Sequence, residues 1–274
     1  MSSILTNSSA MNALQTLQNV NKGLNETQSR VSTGLQVSSG KDNAAFFAIS
    51  ETMKGDSGML SAINEGLTST KNSVSTARLG AETVKDLASD FSERVAFAQG
   101  SGVDLADVQS ELDSLVSQIG AAISQSTFNG DDLVSGAAAT QTVVSGVTRS
   151  GGTFAATTIS FDSVDLGAIE TALGAIDLTT STDLAADLAS AEGQLGAAIS
   201  AATSMGVAEK TLEGQQEFLG ALTDTLDQGV SAMVDADMEE EAARLQALQV
   251  QQQLATQSLS IANQAPQNIL SLFR

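Results

Sequence analysis

The side chains that carry most enzyme chemistry are missing from this sequence: its 274 residues include no His, Cys, Trp or Tyr. A His-centred triad, a thiolate nucleophile, an imidazole or thiolate metal site and a disulfide are thereby excluded. Carboxylates remain. Asp235, Asp237, Glu239, Glu240 and Glu241 crowd together, and a hard cation such as Ca²⁺ takes oxygens of this kind. The Asp-x-Asp-x-Asp-Gly spacing of a calcium loop is absent, however, and acids that precede and open a helix are favoured by its macrodipole. Asp131 and Asp132, following Asn129-Gly130, read as a solvated turn. Gly151-Gly152 also reads as a turn, and no glycine-rich loop follows a strand where it would cradle phosphate. The sequence thus predicts no catalytic residue, no metal site and no cofactor, in a protein that is not an enzyme.

Charge narrows the partners. Twelve Lys and Arg against 32 Asp and Glu give a net charge of −20, the opposite of what a nucleic-acid or anionic-membrane surface needs. Residues 1–41 and 242–274 are each +2, which leaves −24 on the middle. The ends are rich in Gln, Asn, Ser and Thr with regularly spaced Leu, whereas the acidic middle is predicted to face water. No apolar run approaches the roughly 20 residues that cross a bilayer. The start, MSSILTNSSAMNAL, lacks the basic and apolar regions of a cleavable signal. The protein is expected either to stay in the cytosol or to leave by a route that reads no such signal.

The elements follow from periodicity. Met53, Leu60, Leu67, Val74, Ala81, Ala88 and Val95 recur every seven residues, and Ile49, Ile63, Ala77, Val84, Phe91 and Ala98 form a second series. A helix over 42–99 with such a seam would be about 85 Å long, so it must pack side to side. Gly100-Ser101-Gly102 ends it, and Asp104 is placed to cap a second helix carrying Leu105, Leu112 and Ile119. Residues 140–161 alternate around Arg149-Ser150-Gly151-Gly152 like a small β module, though their Gly, Ala, Ser and Thr content also suits an irregular loop. From Asp183 a long helix returns, with Met205, Leu212, Leu219, Leu226 and Met233 seven apart. It is the partner for the first rod.

The two chain ends repeat the pattern. Leu14, Leu17, Leu24, Val31 and Leu35 mark one helix; Met238, Leu245, Leu248, Ala255, Leu259, Ala262 and Ile269 mark another, which should stop near Pro266. Gly34 and Gly40 on one side, and Asp235-Ala236-Asp237 on the other, separate this pair from the rod. Two helices alone leave most of their apolar stripe in water. The ends are therefore expected to be disordered in the monomer and to become helical on assembly with copies of the chain. The fold class is mainly α: a long antiparallel helical rod or coiled-coil bundle formed by the N- and C-terminal segments, with a small β or irregular insert in the middle. Three modules are expected, 1–41 with 236–274, 42–135 with 183–235, and 136–182.

Several segments carry a family likeness. Asn12-Ala13-Leu14, Arg30-Val31-Ser32-Thr33-Gly34-Leu35 and Lys41-Asp42-Asn43-Ala44-Ala45 resemble the N-terminal signature of bacterial flagellins. So do Phe128-Asn129-Gly130, Leu245-Gln246-Ala247-Leu248 and the closing Ala262 to Arg274, in order and at both ends, and the likeness is strongest to the short alphaproteobacterial type. The resemblance implies an extracellular structural subunit of the flagellar filament, used for swimming, that leaves the cell unfolded without a cleavable signal. It implies as partners many copies of the chain, the flagellar type III export machinery, an export chaperone and a filament cap. Self-assembly is expected through Leu14, Leu17, Leu24, Val31, Leu245, Leu248, Leu259 and Ile269. The alternatives are a hook-filament junction protein of related design and a secreted helical adhesin or translocator.

Overall fold

A computed structural model describes residues 7–150 and 153–272, the side chains of 150–154 and 265–274 excepted. Helices α1 (Ser8–Thr33), α2 (Ala44–Ala98) and α3 (Leu105–Gln125) precede strands β1 (Thr140–Ser150) and β2 (Thr153–Asp162), and α4 (Leu166–Gly174), α5 (Leu184–Val234) and α6 (Met238–Leu272) follow. The mainly helical class with a small β insert is what the periodicity predicts. The caps explain the boundaries. Asn7 accepts the Ala10 N–H at 3.1 Å to open α1, and Asp104 accepts the Ala106 N–H at 2.9 Å to open α3. Gly34 closes α1 at φ +73°, a left-handed cap that glycine adopts without strain, and donates to the Arg30 carbonyl at 2.8 Å.

The chain forms two compact units, Gly58–Asp224 and the pair of segments Met1–Ser57 with Thr225–Arg274. In the first unit the seven-residue series is buried: Leu67, Val74, Ala81, Ala88 and Val95 of α2 are closed to solvent, as are Met205, Leu212 and Leu219 of α5. Two ion pairs tie these helices together, Lys71 to Glu213 at 3.1 Å and Arg78 Nε to Glu209 at 2.6 Å. The Glu209 hydrogen bond holds the Arg78 guanidinium above its ordinary basicity, with Glu82 contributing less.

The second series behaves differently along its length. Ala77, Val84, Phe91 and Ala98 are buried, but Ile63 is half-buried and Ile49 is 49% exposed. The buried members lie where α3 runs back beside α2, from the Arg94–Glu111 ion pair to Ser126, packed on Gly80. Ile63, in the same unit, lies beyond the end of α3. The close approach at Gly80 is tight: a Cβ there would overlap Ser126 Oγ and lie 2.5 Å from its Cβ.

The insert is an antiparallel hairpin with a bulge between Val144 and Gly146. Gln215 of α5 donates to the Ser145 carbonyl at the bulge, 2.7 Å away, and so fastens the hairpin to the helix. Helix α4 is an addition to the sequence reading. Its signal was present in short form: Asp165 accepts the Ala168 N–H, and Leu166, Ile169 and Leu173 are buried.

In the other unit the joint between the terminal pair and the longer helices is bonded. The N–H groups of Gln36 and Val37 donate to the Val234 carbonyl at 2.7 and 3.2 Å, and Ala236 N–H donates to Gly34 O at 2.9 Å. Beneath them Val37, Val230 and Val234 are buried against Leu35, Phe47, Met53 and Met233. One expectation fails here. Helix α6 does not stop near Pro266 but runs on to Leu272. Proline removes a single ladder bond, the one to the carbonyl four residues back, and that carbonyl, Ala262 O, instead accepts from the Asn7 side chain at 2.8 Å.

Candidate assembly interface

Helices α1 and α6 pair antiparallel in one register. Arg30 meets Glu241, Gly23 faces Leu248, Asn21 accepts from Gln252 at 2.7 Å, and Asn7 reaches Ala262. Each step down one helix is thus matched by a step up the other. Asn7 works at both: its Oδ1 caps α1 while its Nδ2 satisfies the carbonyl that Pro266 leaves open.

The acids at the start of α6 open the helix. Asp237 accepts the N–H groups of Glu239 and Glu240 at 2.9 and 3.2 Å. Glu241 alone turns inward, 4% exposed, where Arg30 and Arg244 both donate to its Oε1 at 3.2 Å. Among the described residues no group of three metal-ligating side chains converges, and no helix is long and apolar enough to cross a membrane.

The residues expected to mediate self-assembly divide into two sets. Leu17, Leu24 and Val31 of α1, with Leu245, Leu248 and Leu259 of α6, are half-buried, flanking the buried Val20, Thr27 and Ala255. They line the seam between the chain's own two ends. Leu14 is 45% exposed. The Ile269 side chain lies outside the described residues. Turned to solvent are four apolar side chains absent from the sequence reading: Met11 on α1, and Val250, Leu254 and Ile261 on α6. Their signal in the sequence is that 250, 254 and 261 share one helical face, a weaker pattern than the seven-residue stripe of the seam.

A helical chain whose two ends pair with each other, with apolar side chains left outside, has the build of an assembling subunit. The chain belongs to the bacterial flagellins, the structural subunits of the flagellar filament: the flagellin N-terminal helical region matches residues 4–139 and the C-terminal helical region matches residues 188–273. Among curated relatives it is 38% identical to a flagellin of Brucella melitensis biotype 1 over the full length of both chains. It is 34% identical to flagellin C of Rhizobium meliloti, again over both whole chains. Flagellin FljM of Caulobacter vibrioides is 36% identical, with all of this chain and 99% of that one aligned. The family is structural and not enzymatic.

Proposed function

We propose that the α1–α6 pair is the module through which copies of this chain build the filament, and that it gains its stable order in doing so. The observation that carries this reading is the uneven distribution of apolar surface. Among the described residues of the pair only Val20, Thr27, Glu241 and Ala255 are buried, while Met11, Leu14, Val250, Leu254 and Ile261 stay in water. Ordering a backbone costs about 1 to 2 kcal/mol per residue, so so thin a seam is marginal until neighbouring copies cover the outer faces. Such a head-to-tail contact need not close on itself and generates an open helical tube.

The three-module division expected from the sequence fits this role: the terminal pair 1–41 with 236–274 inside, 42–135 with 183–235 around it, and the acidic 136–182 outward. Leu14, Leu17, Leu24, Val31, Leu245, Leu248, Leu259 and Ile269 then act by two routes. The seam residues hold the pair together, and Leu14 with the newly found Met11, Val250, Leu254 and Ile261 meets the neighbours. Passage through a type III export channel as an unfolded chain, a chaperone in the cytoplasm and a cap at the growing tip complete the reading. A chain without disulfides suits such threading.

The experiment is seeded polymerisation. Purified filaments are dissociated by mild acid, neutralised and offered short seeds. Leu254→Asp and Ile261→Asp are expected to stop elongation while leaving the helical signal of residues 58–224 intact. Normal growth of both variants would contradict the assignment of the outer face.

A further inference from the structure

The apolar stripes of α1 and α6 have a weakness as a specification. Leu17, Leu24 and Val31 recur every seven residues, as do Leu248, Ala255 and Ala262. A slide of seven residues, about 10 Å along the axis, sets apolar side chains against apolar side chains again. Non-directional burial distinguishes such registers poorly. Directional contacts must choose: the backbone bonds at the joint, Ala236 N–H to Gly34 O and Gln36 and Val37 N–H to Val234 O, hold one end of the pair, and polar contacts within the seam must hold the rest.

Glu241 is the one charged residue buried among the described residues. Its Oε1 is shared by Arg30, from the opposite helix, and Arg244, from its own, while Oε2 is buried without a hydrogen-bond partner. A half-satisfied buried carboxylate is a poor stabiliser, because desolvation offsets most of its attraction to the cations. It is a strong discriminator. A slide that brings Ala255 opposite Gly23 sets Arg30 opposite Leu248 and leaves Glu241 beyond the end of α1, its cross-helix cation gone. Single buried polar groups choose register in this way in coiled coils.

We propose that Glu241, held between Arg30 and Arg244, is the positioning residue that fixes the register of the terminal helix pair along the seam beyond its bonded joint, and that it contributes specificity to that pairing more than strength. The inference rests on the reading of this pair as the assembly module. Subunits paired in a slipped register would present Met11, Leu14, Val250, Leu254 and Ile261 in the wrong relative places, and uniform addition to the fibre would fail.

The absence of native cysteine makes a direct test simple. Two full-length double variants report register under seeded assembly conditions with mild oxidant. Gly23→Cys with Leu248→Cys joins the observed neighbours, since a Cβ at 23 lies 3.5 Å from the Leu248 side chain. Gly23→Cys with Ala255→Cys joins only chains slipped by one heptad. In the otherwise native sequence the first pair is expected to cross-link about a hundredfold faster than the second. Adding Glu241→Leu, which removes the charge and keeps the bulk, should bring the two rates within about tenfold. Glu241→Gln, which keeps an acceptor facing Arg30, should preserve most of the native preference. An unchanged preference in Glu241→Leu overturns the proposal, because the joint and the stripe then suffice. Loss of both cross-links in Glu241→Leu also overturns it, because Glu241 would then hold the pair together and not choose its register. A native-sequence chain that fails to elongate on seeds contradicts the assembly reading instead, and is told apart by the absence of polymer before any substitution at 241.

Discussion

Single residues show how this chain stiffens its turns without a large core. The Asp42 carboxylate accepts the backbone N–H groups and hydroxyls of both Ser38 and Ser39, and these bonds, the Ser38 N–H first, hold its pKa below the ordinary carboxylate value. Asp132 is lowered chiefly by the Ser135 hydroxyl, and Asp177 by that of Thr179. A carboxylate with a depressed folded value stabilises fully above its unfolded pKa and loses that contribution as pH falls through the folded one. Acidification from neutrality to about pH 5 should therefore leave these three turns intact, with loosening confined to more acid conditions. Side-chain carboxyl chemical shifts of Asp42, Asp132 and Asp177 followed by NMR should show late titration; midpoints at or above those of unfolded aspartates would contradict it. Asp42→Asn removes the charge and should erase that late titration while leaving the helices in place.

Helices and their contacts carry the next level, and here Gly80 is the sharpest test. Its hydrogen faces Ser126 at a distance no Cβ tolerates, so Gly80→Ala must push α3 away from α2. Overpacking of this kind costs about 1 to 3 kcal/mol, measurable by chemical denaturation, and Ser126→Gly in the same chain should recover most of the loss. Deep in the same unit Phe91→Ala should cost about 3 to 5 kcal/mol, because the ring is wholly buried. At this scale much was legible in the sequence. The caps at Asp104 and the seven-residue series of α2 and α5 specify long helices before any packing is known. What escaped was set by neighbours. Ile63 belongs to an apolar series yet is only half-buried because α3 ends before reaching it. Pro266 reads as a stop, yet the helix continues, and a distant side chain, Asn7, takes up the carbonyl that the proline leaves without its ladder bond. Helix α4 is nine residues long, too short for periodicity to announce it.

The whole molecule separates two tasks that the sequence already divides by charge. Residues 58–224 bury a continuous stripe and carry most of the acid, while residues 1–41 and 242–274 are charge-poor and bury little. The seam between the ends was visible in the spacing of Leu17, Leu24, Leu245 and Leu259. The outer face was not, because four scattered apolar residues resemble ordinary surface until the partner helix fixes which way they point. Polar substitution at Leu17, Leu24, Leu245 or Leu259 should abolish polymerisation and leave the 58–224 unit folded, read as lost sedimentation with a retained cooperative melt.

Hydrogen exchange read peptide by peptide, on dissociated chains and on filaments of the same preparation, bears most directly on the coupling of order to polymer growth. Amides of residues 8–33 and 238–264 are expected to exchange freely in the dissociated chain and to become protected in the filament, while the buried stretch of α2 around 67–95 is protected in both. Equal, strong protection of both terminal helices in the dissociated chain would mean that the pair stands on its own, and would contradict the account.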